Sequence, residues 1–250
     1  MITVSLTGKT AIVTGSSQGL GAVTAEVLHD AGANVVVNYF NDAGGMNKAN
    51  ADKVVEKIGD GAIAIEADIR NEQSVKAMID KTIERFGRLD IVVNNAGIIR
   101  DKTIKKMTSE EWQSVLDTNL TGTFNVCRAA AEKMSDGGRF VNFASISGVV
   151  GFFGQSNYAA SKAGVIALTK VLSKELGKRK ITVNSVAPGV VLTEMGKTIP
   201  EEVRTEMLKS IPLVRFGEPK EISNVVLFLC SDLASYVTGQ VIHVNGGWIG

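Results

Sequence analysis

The segment Thr10-Ala-Ile-Val-Thr-Gly-Ser-Ser-Gln-Gly-Leu-Gly-Ala-Val-Thr-Ala-Glu-Val-Leu-His29 begins with a short apolar run and ends with a helical pattern. Between the two, the glycines follow the spacing Gly-x-x-x-Gly-x-Gly from Gly15 to Gly21. Glycine lets a backbone approach phosphate closely, and the first turn of a helix offers unpaired N–H groups at its positive end. We therefore expect a strand, a turn that holds a dinucleotide pyrophosphate, and a helix. An ordinary tight turn is the alternative that this motif alone leaves open.

Apolar strand candidates alternate with helical patterns along the remainder of the 250 residues. The candidates are Thr10–Val13, Asn34–Val37, Ala62–Ala67, Leu89–Val93, Arg139–Ala144, Ile181–Ala187 and Gln240–Val244. Such alternation predicts βαβ crossovers and parallel strands covered by helices. We thus expect an α/β fold in which residues 1–250 form a single doubly wound Rossmann-type domain. Its seven-stranded sheet should be mostly parallel, with helices on both faces.

Local signals mark where several elements begin and end. Thr108 and Glu111 have the spacing of a capping box before the apolar run around Trp112–Val126, and Gly32 is placed to end the first helix. The stretch Asn41–Asn50 is rich in Asn, Ala and Gly and predicts a surface loop.

Composition excludes several classes of protein. The net charge of +1 and the pI of about 7.7 provide no basic surface for nucleic acid. No leader pattern or membrane-length apolar stretch is present in the sequence, so we expect a cytoplasmic protein that is not bound to a membrane. Cys127 and Cys230 lie in apolar segments and are expected to be buried thiols. His29 and His243 have no clustered ligands, and we expect no metal site.

Tyr158 and Lys162 are four residues apart, a spacing that places both side chains on one face of a helix. A cation beside a phenol favours its ionised form, so such a tyrosine can act as an acid or base nearer neutral pH. The pair indicates proton transfer to or from a carbonyl or an alcohol. The same spacing is common on solvated helices, and its weight depends on the other motifs.

Those motifs give the chain a resemblance to the short-chain dehydrogenase/reductases over essentially all 250 residues. They occur in the family's order and spacing: the glycine pattern, Asn94-Asn95-Ala96-Gly97, Asn119, Ser145, Tyr158-x-x-x-Lys162 and Pro188-Gly189. The joint match is much more specific than any single motif. It implies an oxidoreductase that transfers a hydride between a nicotinamide cofactor and a carbonyl or alcohol.

The resemblance assigns catalytic roles to four side chains. Tyr158 would donate its proton to the carbonyl oxygen, and Ser145 would hydrogen-bond the same oxygen. Lys162 would lower the pKa of Tyr158 and bind the ribose of the nicotinamide. Asn119 would hold a water that links Lys162 to solvent.

The carboxyl ends of the strands should bring the cofactor site together at the switch point of the sheet. The resemblance implies that Asp68 contacts the adenine amino group, whereas a turn or helix-capping aspartate is the alternative from the sequence alone. The expected cofactor-binding residues are Gly15, Ser17, Gln18, Gly19, Leu20, Gly21, Asn38, Tyr39, Asp68, Ile69, Asn95, Ala96, Gly97, Tyr158, Lys162, Pro188, Gly189, Val191 and Thr193.

The residues after the second strand bear on the choice of cofactor. An acidic residue there would accept the ribose 2′-hydroxyl of NAD(H) and repel the 2′-phosphate of NADP(H). The segment Asn38-Tyr39-Phe40-Asn41 contains no acid, which favours NADP(H) over NAD(H). Gln18 is neutral where relatives that prefer NADP often have arginine, so NAD(H) stays open.

Within the family, the chain looks most like the 3-oxoacyl-acyl-carrier-protein reductases of fatty acid biosynthesis. The similarity lies in Asn95–Met107, Ile211–Pro219 and Val237–Gln240. Those enzymes reduce a 3-oxoacyl thioester to the 3-hydroxyacyl thioester. A sugar, polyol or steroid alcohol dehydrogenase is the alternative. A non-catalytic dinucleotide-sensing protein is disfavoured, because all four catalytic positions are filled.

A substrate lid is expected around residues 190–211 from the resemblance. Its apolar residues predict a hydrophobic pocket: Val190, Val191, Leu192, Met195, Ile199 and Met207. Such a pocket suits a ketoacyl chain, a steroid or an aromatic ketone alike.

The resemblance also implies partners. An acidic acyl carrier protein would dock at the positions of Glu132 and Lys174, and the carboxylate of Glu132 departs from the basic pattern. Four nearby cations could replace it or could be ordinary solvated residues: Arg128, Lys133, Lys178 and Arg179. Relatives are usually homotetramers that pair through the helices at Trp112–Met134 and Tyr158–Leu176 and through the C-terminal strand and helix. A dimer would also satisfy the sequence.

Overall fold

Seven strands rich in Val and Ile form one sheet. The computed structural model describes residues 4–192 and 201–249. Its strands are β1 (Thr10–Val13), β2 (Asn34–Tyr39), β3 (Ala62–Glu66), β4 (Ile91–Asn94), β5 (Arg139–Phe143), β6 (Thr182–Pro188) and β7 (Val241–Val244). All seven predicted strands are confirmed, with ends that shift by at most two residues.

The strands pair in the order β3-β2-β1-β4-β5-β6-β7, and every pairing is parallel. The sheet is thus entirely parallel, where the sequence predicts a mostly parallel one. The chain runs outward from β1 to β3 and then returns to β4 on the other side of β1. A crevice opens where such a reversal occurs, at the carboxyl ends of β1 and β4.

The helices follow the strands in the alternating order that the sequence predicts. They are α1 (Gly19–Asp30), α2 (Met46–Ile58), α3 (Glu72–Phe86), α4 (Ser109–Leu116), α5 (Gly122–Lys133), α6 (Ser147–Val150), α7 (Ser156–Glu175), α8 (Glu201–Lys209) and α9 (Pro219–Cys230). A π-helical segment, Asp117–Thr121, joins α4 to α5. The predicted capping box of Thr108 and Glu111 is confirmed at the start of α4.

The predicted surface loop at Asn41–Asn50 is wrong in its second half, because α2 begins at Met46. The Asp42 carboxylate accepts the N–H groups of Met46 and Asn47 at 3.3 and 2.8 Å. These bonds satisfy donors that a helix start leaves unpaired, so the helix can begin within a segment whose composition is typical of a loop.

Side chains alternate between the two faces of the sheet and build two cores. Ala11, Val13 and Val35 pack in the core that includes α1 and α9, whereas Ile12 and Val36 pack in the core that includes α3 and α5. This period of two is the geometry of a strand buried on both sides. The predicted doubly wound α/β fold, with helices on both faces, is confirmed.

The two cysteines lie inside these cores as free, buried thiols. Burial raises the pKa of both Cys127 and Cys230 to about 12. His29 lies beside the Ala33 carbonyl, with Nδ1 3.1 Å from the oxygen. Within the ranges that the structure describes, no helix is both long and apolar enough to cross a membrane.

Candidate active site

The glycine-rich turn between β1 and α1 combines close packing with an open position. A Cβ on Gly15 would lie 2.8 Å from the Ala96 Cα, and one on Gly21 would lie 2.4 Å from the Asn95 Nδ2 and 2.6 Å from the Gly15 oxygen. Gly19 has a φ of +59°, and its Cβ would meet no atom within 4 Å. Gly15 and Gly21 therefore allow the turn to pack closely against its neighbours, while Gly19 lies next to open space.

The N-terminus of α1 is free to receive an anion. No side chain caps this helix at Gln18, and no acidic residue lies in its first turn. Its first N–H groups and the positive end of its dipole therefore face the space beside Gly19. These features fit the pyrophosphate of a dinucleotide.

Asn38 holds the glycine turn against the sheet. Its side chain is buried, and its Oδ1 accepts the Gly15 N–H at 3.1 Å. Its Nδ2 lies 3.2–3.3 Å from the carbonyl oxygens of Tyr39, Ile65 and Ala67. The Asn38 amide is thus bonded to the protein's own backbone and fixes the position of the turn, and its contact with a cofactor stays a prediction.

Asp68 lies at the carboxyl end of β3 and forms a tight pair with Arg70. The carboxylate accepts the Arg70 backbone N–H at 2.9 Å and its guanidinium at 2.8–2.9 Å. These hydrogen bonds hold the pKa of Asp68 below its usual range. The same guanidinium lies 5.2 Å from the centroid of the Phe40 ring. Asp68 therefore shapes a turn, as the alternative from the sequence proposes, and its contact with adenine stays a prediction.

The loop after β4 is joined to the glycine turn. Asn95 donates from Nδ2 to the oxygens of Thr14 and Gly15 at 2.9 and 3.0 Å. The Thr14 hydroxyl accepts the Ala96 N–H at 3.1 Å. Residues from β1 and β4 that are about 80 positions apart thus meet at the crevice, as the sequence predicts.

Asn119 lies in the π-helical segment and is fully buried. Its amide forms a clamp on Ile98, accepting the N–H at 2.8 Å and donating to the oxygen at 3.0 Å. A Cβ on Gly97 would lie 3.2 Å from the Asn119 Oδ1 and 3.6 Å from the Lys162 Nζ. The absence of a side chain at Gly97 therefore keeps the space between these two groups open.

Tyr158 and Lys162 lie one turn apart on α7. The Lys162 ammonium is 5.7 Å from the centroid of the Tyr158 ring and donates to the Phe143 carbonyl at 2.7 Å. Burial lowers the pKa of Lys162 to about 8. The predicted proximity of the two side chains is thus found in the structure.

The expected lowering of the Tyr158 pKa is not found. Burial raises the pKa of Tyr158, a hydrogen bond with the Ser145 hydroxyl opposes that shift, and the Asp101 charge adds to it. The helical spacing predicts adjacency alone. It does not predict the cost of surrounding the phenol with protein, nor that the Lys162 ammonium bonds to a backbone carbonyl.

The segment after β6 reaches the same site. Pro188 accepts the Ile146 N–H at 3.1 Å, next to Ser145, and Gly189 donates to the Val244 oxygen at 3.0 Å. Val191 is buried and forms a bridge with Gly217. Thr193 and the lid residues Met195 and Ile199 lie outside the described residues.

Several apolar side chains are exposed in segments that lie next to Ser145, Tyr158 and Val191 in the sequence. In the described part of the predicted lid, α8 has no buried residue, and Leu192 is exposed. Val149, Val150 and Phe153 are also exposed, in the segment between Ser145 and Tyr158.

Three polar residues that the sequence did not single out form a line of hydrogen bonds to Ser145. Gln155 donates from Nε2 to the Asp101 carboxylate at 2.7 Å, and Ser147 donates from Oγ to the Gln155 Oε1 at 2.8 Å. The Ser147 backbone N–H donates to the Ser145 Oγ at 3.1 Å. No motif marks these positions, and the sequence signal is limited to polar residues flanking Ser145 and Tyr158.

Asn157 is another buried residue that the sequence did not reveal. Its Nδ2 donates to the oxygens of Arg100 and Glu111 at 2.9 and 3.1 Å, and its Oδ1 accepts the Tyr158 N–H at 2.7 Å. This amide therefore fixes the loop after β4 and the end of the first turn of α4 to the start of α7.

The basic patch considered for a carrier protein is largely paired with acids. Arg128 contacts Glu72 at 2.6 Å, Arg179 contacts Asp136 at 2.8 Å, and Lys133 pairs with Asp80. Lys178 and the predicted docking residues Glu132 and Lys174 are exposed. In the region that the structure describes, no group of three or more His, Cys, Asp or Glu is arranged to hold a metal ion.

Comparison with known proteins places these features in context. A family model described as enoyl-(acyl carrier protein) reductase matches residues 15–249. The 3-oxoacyl-[acyl-carrier-protein] reductase FabG of Staphylococcus aureus strain Mu50 is 48% identical in an alignment of 244 residues, and the match covers 96% of this chain and 97% of the relative. The FabG of Aquifex aeolicus is 45% identical over 246 residues, covering 98% of both chains.

A third relative, the 3-oxoacyl-[acyl-carrier-protein] reductase of Synechocystis, is 43% identical over 251 residues and again covers 98% of both chains. Among solved structures, a dehydrogenase/reductase from Sinorhizobium meliloti 1021 superposes with a TM-score of 0.91. It is 36% identical to this chain, and the match covers 99% of this chain and 98% of the other.

Proposed function

Because the chain belongs to the short-chain dehydrogenase/reductase family, we propose that it reduces a 3-oxoacyl thioester to the 3-hydroxyacyl thioester, with NADPH as the reductant. The observation that carries this proposal is the identity of 43–48% to 3-oxoacyl-[acyl-carrier-protein] reductases over nearly the whole chain. The chain is an oxidoreductase that acts on CH–OH or C=O groups.

The dinucleotide would lie from the N-terminus of α1 to Lys162 along the crevice, and it supplies the hydride when bound. Tyr158 holds the proton that the developing alkoxide needs, since burial raises its pKa and keeps the phenol protonated. Ser145 stabilises the same oxygen by a hydrogen bond. Lys162 would bind the ribose hydroxyls, and Asn119 keeps the loop at Ile98 in place.

The preference for NADPH rests on the residues after β2. No acid lies between Asn38 and Asn41 to repel a 2′-phosphate. The next carboxylate, Asp42, accepts two N–H groups at the start of α2. Gln18 provides a neutral hydrogen-bonding side chain where a cation would add charge, so we expect the preference to be moderate.

The acyl chain would lie against the exposed apolar side chains of Val149, Val150 and Leu192. Such a surface favours an acyl thioester over a polar sugar. A carrier-linked thioester is the proposed substrate, as it is for the relatives by their names. Because Arg128, Arg179 and Lys133 already have acidic partners, we expect weak electrostatic steering of an acidic carrier.

The protein is proposed to act as a homotetramer. Trp112, Phe124 and Val171 are exposed on the helices through which relatives pair, and Phe228 and Tyr236 are exposed near the C-terminus. Burial of these side chains between subunits would remove apolar surface from water.

An initial-rate assay at 340 nm with acetoacetyl-CoA tests the proposed reaction and cofactor together. We expect rapid oxidation of NADPH and slower oxidation of NADH. Absence of turnover with both cofactors, followed by activity on sugars, polyols or steroids with NAD(P)+, would replace the thioester by an alcohol substrate. The same assay with a carrier-linked acetoacetyl thioester measures the contribution of the carrier.

The substitution Tyr158→Phe tests the proton donor. We expect kcat to fall by at least about a thousandfold, because the hydroxyl that donates the proton is removed. NADPH affinity, measured by fluorescence titration, should change by less than about threefold, since the phenyl ring is retained. A variant that keeps most of its activity would contradict the role of Tyr158.

A further inference from the structure

Ser145 lies at the end of a hydrogen-bonded line that begins at the protein surface. The line runs from the exposed Asp101 carboxylate through the Gln155 amide to Ser147, a residue that is 3% accessible. From there the Ser147 N–H reaches the Ser145 Oγ at 3.1 Å. Three separate segments, the loop after β4, the start of α7 and the start of α6, meet in this line.

The direction of each bond is fixed by the carboxylate. An ionised carboxylate only accepts, so the donor end of the Gln155 amide must point towards Asp101. The acceptor end then points towards Ser147, whose hydroxyl must donate. The position of Ser147 in turn decides where its N–H lies, and that N–H occupies one acceptor site of the Ser145 oxygen. The Ser145 hydrogen is left to point away from Ser147, towards the Tyr158 oxygen with which Ser145 forms a hydrogen bond.

We propose that Asp101, Gln155 and Ser147 are positioning residues that orient the Ser145 hydroxyl towards the substrate carbonyl oxygen. This inference rests on the proposed role of Ser145 in the reductase. None of the three residues needs to touch the substrate to act. Each residue orients the next one by a hydrogen bond, and the Asp101 carboxylate determines the direction of these bonds.

The backbone around the line is restrained independently. Lys102 donates from its N–H to the Gly154 oxygen at 2.9 Å, and the Asn157 amide bonds to the Arg100 oxygen at 2.9 Å. These bonds hold the loop after β4 against α7 without the Asp101 side chain. Loss of the line should therefore alter the orientation of Ser145 and leave the fold and the dinucleotide site intact.

An exchange of the amide and the carboxylate gives the sharpest test. Gln155→Glu places two carboxylates against each other and breaks the hydrogen bond to Asp101. We expect kcat for acetoacetyl-CoA to fall by about tenfold or more, as for the loss of one hydrogen bond. The KM for NADPH should stay unchanged. In the double variant Asp101→Asn/Gln155→Glu, the new amide at position 101 donates to the new carboxylate, which still accepts from Ser147. We expect kcat to return to within about threefold of the unaltered protein.

Restoration of kcat in the double variant supports the line, since it shows that Asp101 and Gln155 act as one bonded pair, and the Ser147 variants below extend the test to Ser145. Additive losses would overturn it. Asp60→Asn, an exposed aspartate before the amino end of β3, is the matched control and should have no effect.

A second measurement needs no substrate and therefore separates this inference from the proposed reaction. The tyrosinate absorbance of each protein, minus that of its Tyr158→Phe counterpart, reports the titration of Tyr158. The groups that face Tyr158 are Lys162 on α7, Ser145 before α6, and Asp101 in the loop after β4. Ser147→Ala should loosen Ser145 and move the titration to higher pH, because the bond from Ser145 lowers the pKa of Tyr158.

Ser147→Thr keeps the hydroxyl, so Tyr158 should titrate at the same pH as in the unaltered protein. Valine has the shape of threonine without the hydroxyl, so in Ser147→Val the titration should lie at higher pH, as in Ser147→Ala. Equal behaviour of the Thr and Val variants would overturn the line even if the protein reduced some other carbonyl. If the Ser147 variants titrated as expected but the protein did not reduce acetoacetyl-CoA, only the proposed reaction would be contradicted.

Discussion

At the scale of single residues, the burial of Lys162 carries an energetic cost that depends on pH. Its pKa is lowered to about 8, below the ordinary value of 10.5. Below pH 8 both the folded and the unfolded chain hold the proton, and the folded state bears the cost of the buried charge. Between pH 8 and 10.5 the folded chain loses the proton first, so its stability rises with pH.

Comparison with Lys162→Met should reveal this dependence. From pH 7 to pH 9.5, we expect the free energy of unfolding of the unaltered protein to rise relative to that of the variant by on the order of 2 kcal/mol. Urea unfolding at the two pH values measures it. The exposed Lys174 on the same helix provides the control variant Lys174→Met, which should show no such difference. If the free energy of unfolding changed equally with pH in the unaltered protein and in both variants, Lys162 would not be the source of the dependence.

Residue spacing predicts which side chains meet more reliably than it predicts their energies. The spacing of Tyr158 and Lys162 correctly predicts two neighbours on one helix face. The direction of the Tyr158 pKa shift depends on how much protein surrounds the phenol, and the Gln155 line depends on a loop 54 residues away in sequence. Neither is encoded in a local pattern.

At the scale of elements, substitution of two glycines in the turn between β1 and α1 should have different effects, one on cofactor binding and one on stability. Gly19→Ala adds a Cβ in the open space beside the α1 N-terminus, at a cost of about 1 kcal/mol for the left-handed backbone. We expect NADPH affinity to fall by at least about tenfold. Gly21→Ala forces a Cβ against the Gly15 oxygen and should destabilise the fold by about 1–3 kcal/mol.

Fluorescence titration with NADPH and urea unfolding of both variants measure these effects. If Gly19→Ala bound NADPH normally, the space beside Gly19 would not be the pyrophosphate site. If Gly21→Ala were as stable as the unaltered protein, the turn would have to relax more freely than its backbone contacts suggest.

The sequence predicted all seven strands of the described residues and the start of α4, because apolar runs and the capping box of Thr108 and Glu111 are local signals. It did not predict the start of α2 at Met46, where a carboxylate initiates a helix within a loop-like composition. It also did not predict the π-helical segment around Asn119, whose clamp on Ile98 joins residues 21 positions apart.

At the scale of the whole molecule, both faces of the sheet are covered within one chain, yet α7 still presents Val171 to solvent at 51% exposure. We expect Val171→Glu to dissociate the proposed tetramer into smaller species, because a charge would be buried between subunits. Sedimentation velocity measures the change. Met46→Glu, at a comparably exposed apolar residue on α2, is the control and should leave the assembly intact.

A Val171→Glu protein that sediments like the unaltered one would place the subunit contact elsewhere. The doubly wound topology itself follows from the alternation of strands and helices, so the sequence predicts it well. The helix faces that contact another subunit depend on which apolar surfaces the folded chain leaves exposed. The sequence periodicity of α7 does not distinguish a face that packs inside the chain from a face that packs against another subunit.

The two buried thiols make the protein convenient for fluorescence labelling. Cys127 and Cys230 are enclosed in the cores and stay protonated at neutral pH, with pKa values of about 12, so a maleimide dye would react slowly with either. A cysteine introduced at an exposed site on α8, as in Val203→Cys, would be the only fast target. Movement of this helix during turnover could then be followed by a single dye, with both native cysteines left in place.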